Sequence, residues 1–458
     1  MKFQFDRAFY RRVFAVAAPI IVQQFITNFV SMLDNVMVGQ VGTIPMSGVS
    51  IVNQLLFVFN LCIFGAMSGA GIFTAQFHGA QDAGGERNTF RFKVLIGILL
   101  TAVGTAVFVL GGKSLIGLYL KGDGDPSAAA MTMDYCWDYL LVMLVGLPPF
   151  ALSFAYAGTL RETGEARVPM IAGITAVLVN LAGNYILIFG HFGAPKLGVV
   201  GAAVATVLSR YVELVIVALW THRNPKRCAF ISGAYRTLAI PGALMKRIIL
   251  KGMPLLVNEA LWSIGIAFMN QCYSTRGLDV VAAFNISTTI SQLSGVVFMS
   301  IGNAVGILMG QMLGAGLPEE QIRRDNGRMI RLSVLSCLGF AAALLALSGM
   351  FPKIYNTDDS VRAIAQGLIC VTALVMPIHA YTNAMYFTLR SGGQTFITFL
   401  FDSGFSWAVS VPIAWALSRY TAMPILPMYL VVSLADILKL FIGGWMLKKG
   451  IWIRRIVA

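Results

Sequence analysis

The sequence predicts an all-α polytopic membrane protein, with twelve transmembrane helices in two six-helix lobes related by pseudo-two-fold symmetry, on three observations. The 458 residues are 57% hydrophobic and only 12% charged, with a mean hydropathy of +0.76, whereas soluble domains carry about a quarter charged residues. Apolar residues come in long uninterrupted runs without period-two alternation, which selects helices of about 20 residues over a barrel. The chain also repeats itself: with residue n placed over n+235, Ala18-Pro19 falls on Met253-Pro254, Asn35 on Asn270, Gly71 on Gly306, Gln76 on Gln311 and Gly79-Ala80 on Gly314-Ala315. Hydrocarbon offers backbone N–H and C=O groups no partner, so a duplicated apolar body of this kind reads as two helical bundles in lipid.

The first span, 13–38, follows Arg11-Arg12 and is too long for the core of a cleaved leader, so it reads as its own insertion signal. The second, 49–77, stops at Phe77-His78-Gly79-Ala80-Gln81, where glycine suits a helix end. Spans follow at 93–120, 134–157, 168–190 and 198–221, the last opening on Gly198, Gly201, Ala202 and Ala203. Thr221 to about Pro241, with Arg223-Asn224-Pro225-Lys226-Arg227, is the most charged interior stretch. It divides the chain into an N-lobe (1–221), a cytoplasmic linker (222–246) and a C-lobe (247–458). The second set runs 247–273, 280–310, 329–351, 362–388, 397–418 and 426–447. Met312-Leu313-Gly314-Ala315-Gly316 repeats the earlier stop, and Leu389-Arg390-Ser391-Gly392-Gly393 answers Leu160-Arg161-Glu162-Thr163-Gly164. Six spans per half put both repeats in the same orientation, around an axis along the membrane normal. Glycines such as Gly65, Gly69, Gly302 and Gly310 read first as close helix packing and second as hinges.

A net charge of +14 would suit nucleic acid if the basic residues clustered, but they sit on alternate loops. The amino terminus with Lys2 and Arg7, the second loop with Arg87, Arg91 and Lys93, the linker, the eighth loop and the tail hold 22 of the 34 lysines and arginines. The opposite loops carry few, among them Lys121, Lys196 and Arg276. The positive-inside rule then places both termini in the cytoplasm of a multi-pass inner-membrane protein, with anionic lipid rather than nucleic acid as the partner of the charge. Six cysteines without CxxC or CxxH spacing read as small buried residues.

Together these elements resemble the multidrug and toxic compound extrusion (MATE) family, in a pattern nearest its NorM-like members. The resemblance is carried by Ala18-Pro19, Met32-Leu33-Asp34-Asn35-Val36-Met37-Val38-Gly39, Ala75-Gln76-Phe77-His78-Gly79-Ala80, Arg161-Glu162-Thr163-Gly164 and the run from Gly198 to Thr206. It implies a twelve-helix, monomeric antiporter that exports organic cations by alternating access in exchange for H+ or Na+, with no other cofactor. A lipid-linked precursor or metabolite flippase of the same broader superfamily is the alternative, disfavoured because extra spans and a cation-lined cavity are not evident. No HExxH, Walker A or GxSxG motif supports an enzyme, and a secondary transporter is expected instead.

A carboxylate at the bilayer centre costs roughly 2.5–3.5 kcal/mol on insertion scales, so intramembrane acids mark function by default. Each half holds one such acid and the repeat does not align them: Asp34 falls on Met269, and Glu259 on Gln24. Asn180 and Asn184, one helical turn apart, could complete an oxygen cage for Na+ around Asp34, or the buried acid could take a proton. The resemblance implies the same coupling role for Asp34 with Asn180 beside it, and a C-lobe carboxylate at Glu259. Asn184 stands where some relatives have a second aspartate. NorM-type sites also use a tenth-span aspartate, yet residues 362–388 contain no acid, leaving His379 and Asn383 as polar candidates; Asn35 and Thr206 are further supporting polar groups. Arg210/Glu213 and Asp436/Lys439 read as self-neutralising i,i+3 pairs, and Asp402 as an interfacial residue at the start of its span.

Overall fold

The computed structural model describes residues 6–120, 126–355 and 357–457; Lys2 and Lys121 lie outside the described residues. Among the described residues, twelve helical segments are long and apolar enough to cross a membrane. They are built from α1 (Arg7–Gly39), α2 (Thr43–Gly79), α3 (Ala83–Leu120), α4 (Pro126–Val145), α5 (Leu147–Glu162), α6 (Arg167–Phe189) and α7 (Val199–Arg223). The second half supplies α8 (Gly242–Ser274), α9 (Leu278–Gly314), α10 (Glu319–Leu347), α11 (Asp359–Ser391), α12 (Thr395–Phe399), α13 (Val411–Tyr420), α14 (Ile425–Leu434) and α15 (Ile437–Lys449).

Several spans depart from the helices expected from hydropathy: the ninth, like the third, begins ten residues earlier than read, and in four spans a local reason is visible. The fourth is two helices, α4 and α5, interrupted only at Gly146. Pro148 and Pro149 deny the preceding turn two N–H donors, and the chain bends at the glycine. The third span begins ten residues earlier than read, because Lys93 is buried inside α3 and paired with Glu162 of α5 rather than standing in a loop. In the eleventh, Leu400–Gly404 and Ser406–Ser410 are π-helical, and Pro412, with no N–H to offer the turn before it, closes that stretch. In the twelfth, the ladder between α14 and α15 tightens at Ala435-Asp436, where Lys439 N–H bonds the Asp436 carbonyl at 3.0 Å.

The described chain forms two compact units. One comprises Ala18–Thr74 and Asp82–Ile249. Its core runs through Ile63 and Met67 of α2, Phe90 and Ile116 of α3, Leu140 of α4 and Leu160 of α5. The linker between α7 and α8 joins that core instead of lying in solvent: Cys228 and Phe230 are fully buried, and the Phe230 ring centroid sits 5.1 Å from that of Phe90. Arg91 latches the linker, its Nε and Nη2 donating to the Ala234 and Gly233 carbonyls at 2.8 Å each and Nη1 to Ala239 at 3.2 Å. Burial pushes the Cys228 thiol up to about 12, which suits a packing residue and not a nucleophile.

The other unit comprises Met1–Ala17, Ala75–Gln81 and Leu250–Ala458. Here the ends of α2 and α9 cross at the glycines that the repeat superimposes. A Cβ on Gly79 would lie 1.9 Å from the Gln311 carbonyl oxygen, and one on Gly314 the same 1.9 Å from that of Gln76. The Gln76 side chain, fully buried, donates to the Ser391 and Arg454 carbonyls at 2.9 and 3.1 Å and accepts from Ile456 N–H at 2.8 Å. It thereby fixes the carboxyl-terminal tail, whose Trp452 is buried. Arginines close two helix ends: Arg276 donates to the Leu417 and Thr421 carbonyls at 2.7 and 2.8 Å, and Arg323 to Leu447 and Lys448 at 3.1 and 2.8 Å. Cations there also complement the negative end of the helix dipole.

Gly314→Ala meets immovable backbone and is expected to cost at least about 1–3 kcal/mol, read as a lower unfolding midpoint in detergent. Gly111→Ala, whose Cβ would have no neighbour within 4 Å, should leave the midpoint in place, and equal midpoints for both would refute the crossing. Arg91→Ala should speed tryptic cleavage at Arg223, Lys226 and Arg227 by freeing the linker, whereas an unchanged cleavage rate would show that the latch contributes nothing.

Candidate functional site

Asp34, Asn180, Asn184 and Thr206 meet in the first-half unit. The helix carrying Asp34, α1, faces α6 and α7, which approach closely because small residues line their seam. A Cβ on Gly183 would stand 2.8 Å from that of Ala205, and one on Gly201 only 2.6 Å from the Leu187 carbonyl oxygen. That seam places Asn180 and Asn184 of α6 beside Thr206 of α7.

Asn184 Nδ2 donates to Asp34 Oδ1 at 2.8 Å and lies 3.4 Å from Asn180 Oδ1. The Asn180 amide stands against the same carboxylate, at 2.7 Å from Oδ2 and 3.1 Å from Oδ1, with its other end 3.1 Å from Thr206 Oγ1. Two orientations of this amide have different meanings. With nitrogen toward Asp34 it donates to an ionised carboxylate. With oxygen toward Asp34, its nitrogen satisfies Thr206, whose hydroxyl donates to the Ala202 carbonyl at 3.0 Å, but two oxygens then face each other and need a proton or cation between them. Asn184 Oδ1, on a residue only 1% exposed, has no hydrogen-bond partner among the described residues. Asp34 with these two amides therefore presents a small set of oxygen donors, the chemistry a hard monovalent cation or a proton requires. Asn35 is exposed and makes no hydrogen bond to the Asp34 carboxylate among the described residues. Arg210 and Glu213 pair at 3.4 Å as their spacing predicts.

The second-half unit holds a wider charged cluster. Glu259 of α8 is half-buried and lies within electrostatic range of Arg390 and Asp402. Asn258, 1% exposed, donates through Nδ2 to Asp402 Oδ2 at 3.0 Å; its Oδ1 accepts from Ser403 N–H at 3.3 Å, and its carbonyl from Ser403 Oγ at 2.8 Å. Trp407 Nε1 adds a bond to the Leu261 carbonyl at 2.9 Å. Lys439 Nζ stands 3.3 Å from Asp436 and 3.9 Å from Asp402, and His379 Nδ1 stands 3.4 Å from Asp436 Oδ2.

His379 is thus drawn into this cluster through Asp436. Asn383 turns instead toward α9, where Gly302 leaves room for its amide: a Cβ there would come within 2.1 Å of Asn383 Oδ1. Sequence reasoning missed the joining of Asp402 to Asn258 and Lys439. Asp402, near the start of its span, lies in the π-helical stretch and faces α8 and α15. The Asp436/Lys439 spacing gave the pair correctly but not its third and fourth members.

A sequence model of the family described as MatE matches residues 19–186 and again 254–416, the two matches starting at the prolines the internal repeat superimposes. Over 434 residues the chain is 26% identical to the "Probable multidrug resistance protein NorM" of Thermotoga maritima, covering 93% of this chain and 89% of that protein. It is 27% identical over 420 residues to the "Multidrug resistance protein PmpM" of Pseudomonas aeruginosa, covering 90% and 84%. Among solved structures, an outward-facing multidrug resistance MATE transporter of the MOP superfamily superimposes with a TM-score of 0.85 at 18% identity, over 96% of each chain. A MOP superfamily transporter from Pyrococcus furiosus does so with 0.83 at 19%, over 95% of each. Both halves match the family, the twelve spans carry its fold, and the chain belongs to the MatE family of membrane transporters.

Proposed function

We propose that this chain is a monomeric multidrug exporter that expels organic cations in exchange for H+ or Na+, its N-lobe (1–221) and C-lobe (247–458) working by alternating access with both termini in the cytoplasm. The observation that carries the reading is the oxygen cluster of Asp34, Asn180 and Asn184, with a buried amide oxygen that no group among the described residues satisfies. The names of the relatives support the substrate class. An ion entering this cluster neutralises Asp34 and lets the Asn180 amide present its oxygen; loss of the ion restores a negative charge that attracts an organic cation. Exchange follows because the carboxylate cannot serve both cations at once, and the gradient of the smaller one drives the larger outward. Glu259 gives the second lobe its own carboxylate, five residues past Pro254 in α8. Its different position in the repeat makes the two lobes separable by mutation.

Reconstituted into proteoliposomes, the protein should expel ethidium when a proton or Na+ gradient is imposed, and independent variation of the two gradients identifies the ion. Asp34→Asn should lower gradient-driven efflux by at least about tenfold while leaving the unfolding midpoint near the parent's. Full efflux by the Asp34→Asn, Glu259→Gln double variant would refute the coupling role of these carboxylates. Asn184→Leu removes the unsatisfied oxygen and the donor to Asp34; it should raise the concentration of coupling ion needed for half-maximal efflux, and an unchanged concentration dependence would count against the oxygen cluster.

A further inference from the structure

We propose that Asp402 completes the C-lobe cation site of this chain, and that Lys439 is the resident occupant which an incoming organic cation displaces. The proposal rests on the exchange reading above and adds a residue pair to it. Glu259 has no acid in its tenth-span neighbour, α11, over residues 362–388. The eleventh span supplies one instead. Asn258, the residue before Glu259 in α8, donates to Asp402 at 3.0 Å, and Asp402 lies within electrostatic range of Glu259.

Around the Lys439 ammonium stand Asp436 at 3.3 Å, Asp402 at 3.9 Å and the face of Phe405, whose centroid is 5.1 Å away. Two carboxylates and an aromatic face are what an organic ammonium requires in a low-dielectric site. The grip is uneven. Asp436 lies within hydrogen-bond distance of Lys439, whereas Asp402 does not, and His379 holds the far side of Asp436 at 3.4 Å. An incoming cation can therefore take Asp402 and leave Lys439 on Asp436, without a bare charge on either side. Lys439 is 8% exposed, and without an exchange partner its removal from Asp402 would strand that carboxylate.

The backbone supports a site rather than a simple structural bridge. The eleventh span is π-helical beside the cluster and the twelfth turns there at Ala435-Asp436, while α8 and α11 run unbroken with one proline each, Pro254 and Pro377. Irregular helix at membrane depth is tolerated where protein or a water-filled cavity satisfies it, and π-turns gather at functional sites. A bridge serving only to neutralise charge would require neither irregularity.

The test is equilibrium titration of tetraphenylphosphonium into the purified full-length protein in lipid nanodiscs, with unfolding midpoints and ethidium efflux measured on the same variants. Asp402→Asn should weaken binding by about tenfold. Lys439→Gln should tighten it by about as much, since the competing internal cation is gone. The Asp436→Asn, Lys439→Gln double variant keeps the charge balance and should also bind more tightly, so it decides the matter if Lys439→Gln alone does not fold. Parent-like affinity in Asp402→Asn, or unchanged or weaker affinity in the double variant, would overturn the proposal. If Asp34→Asn abolishes efflux while Asp402→Asn binds as the parent does, this inference fails and the exchange reading stands. If Asp34→Asn, Glu259→Gln retains full efflux, the exchange reading itself fails.

Discussion

The constraint on which the rest of the molecule depends is that lipid hydrocarbon cannot hydrogen-bond a peptide group. It forces the chain into helices, and it makes each break in a helix costly unless protein groups repair it. The breaks are therefore informative. Ser403 and Trp407, from the π-helical stretch of the eleventh span, bond the Asn258 and Leu261 carbonyls of α8, the proline-containing helix. The same stretch turns Asp402 toward Asn258. Polar side chains and irregular backbone thus satisfy one another in one place, and chemistry becomes possible where an unbroken helix would offer only apolar surface.

Small residues do the complementary work of bringing polar groups together. Gly183 against Ala205 and Gly201 against Leu187 draw α6 and α7 close enough for Asn180 to reach Thr206. Gly71 performs a related service for the Lys93–Glu162 pair, since a Cβ there would fall 2.3 Å from Glu162 Oε1. Its repeat partner, Gly306, lies under Phe387, where a Cβ would approach the ring to 3.1 Å. The two copies kept the vacancy and filled it with different chemistry, a carboxylate in one and an aromatic ring in the other.

Much of this was legible in the sequence, and the limits have physical causes. The twelve spans follow from hydropathy, and Asp34 with Asn180 and Asn184 from charge in an apolar run and from i,i+4 spacing. A one-residue break at Gly146 is invisible to hydropathy, which is why α4 and α5 read as one span, and a buried, paired Lys93 made α3 read short. The Asn258–Asp402 contact joins residues 144 apart and depends on how far each helix is rotated about its axis. A π-turn adds a residue to each turn, shifting every side chain after it, so the facing of Asp402 could not be read from a 3.6-residue period. The linker misled for another reason: its charges suggest solvent, while Phe230 and Cys228 between them are buried.

The crossing of α2 and α9 bears on how such a molecule can change over generations. At Gly79 and Gly314 each copy of the duplicated sequence rests on the other's main chain, carbonyl against glycine in both directions. A larger side chain on one copy is opposed by backbone from the other, which no substitution in the partner can shorten. The repeat keeps these two glycines in register while Asp34 and Glu259 fall at different positions of it. The halves are bound to a shared inheritance at the helix ends and independent at the site of their chemistry.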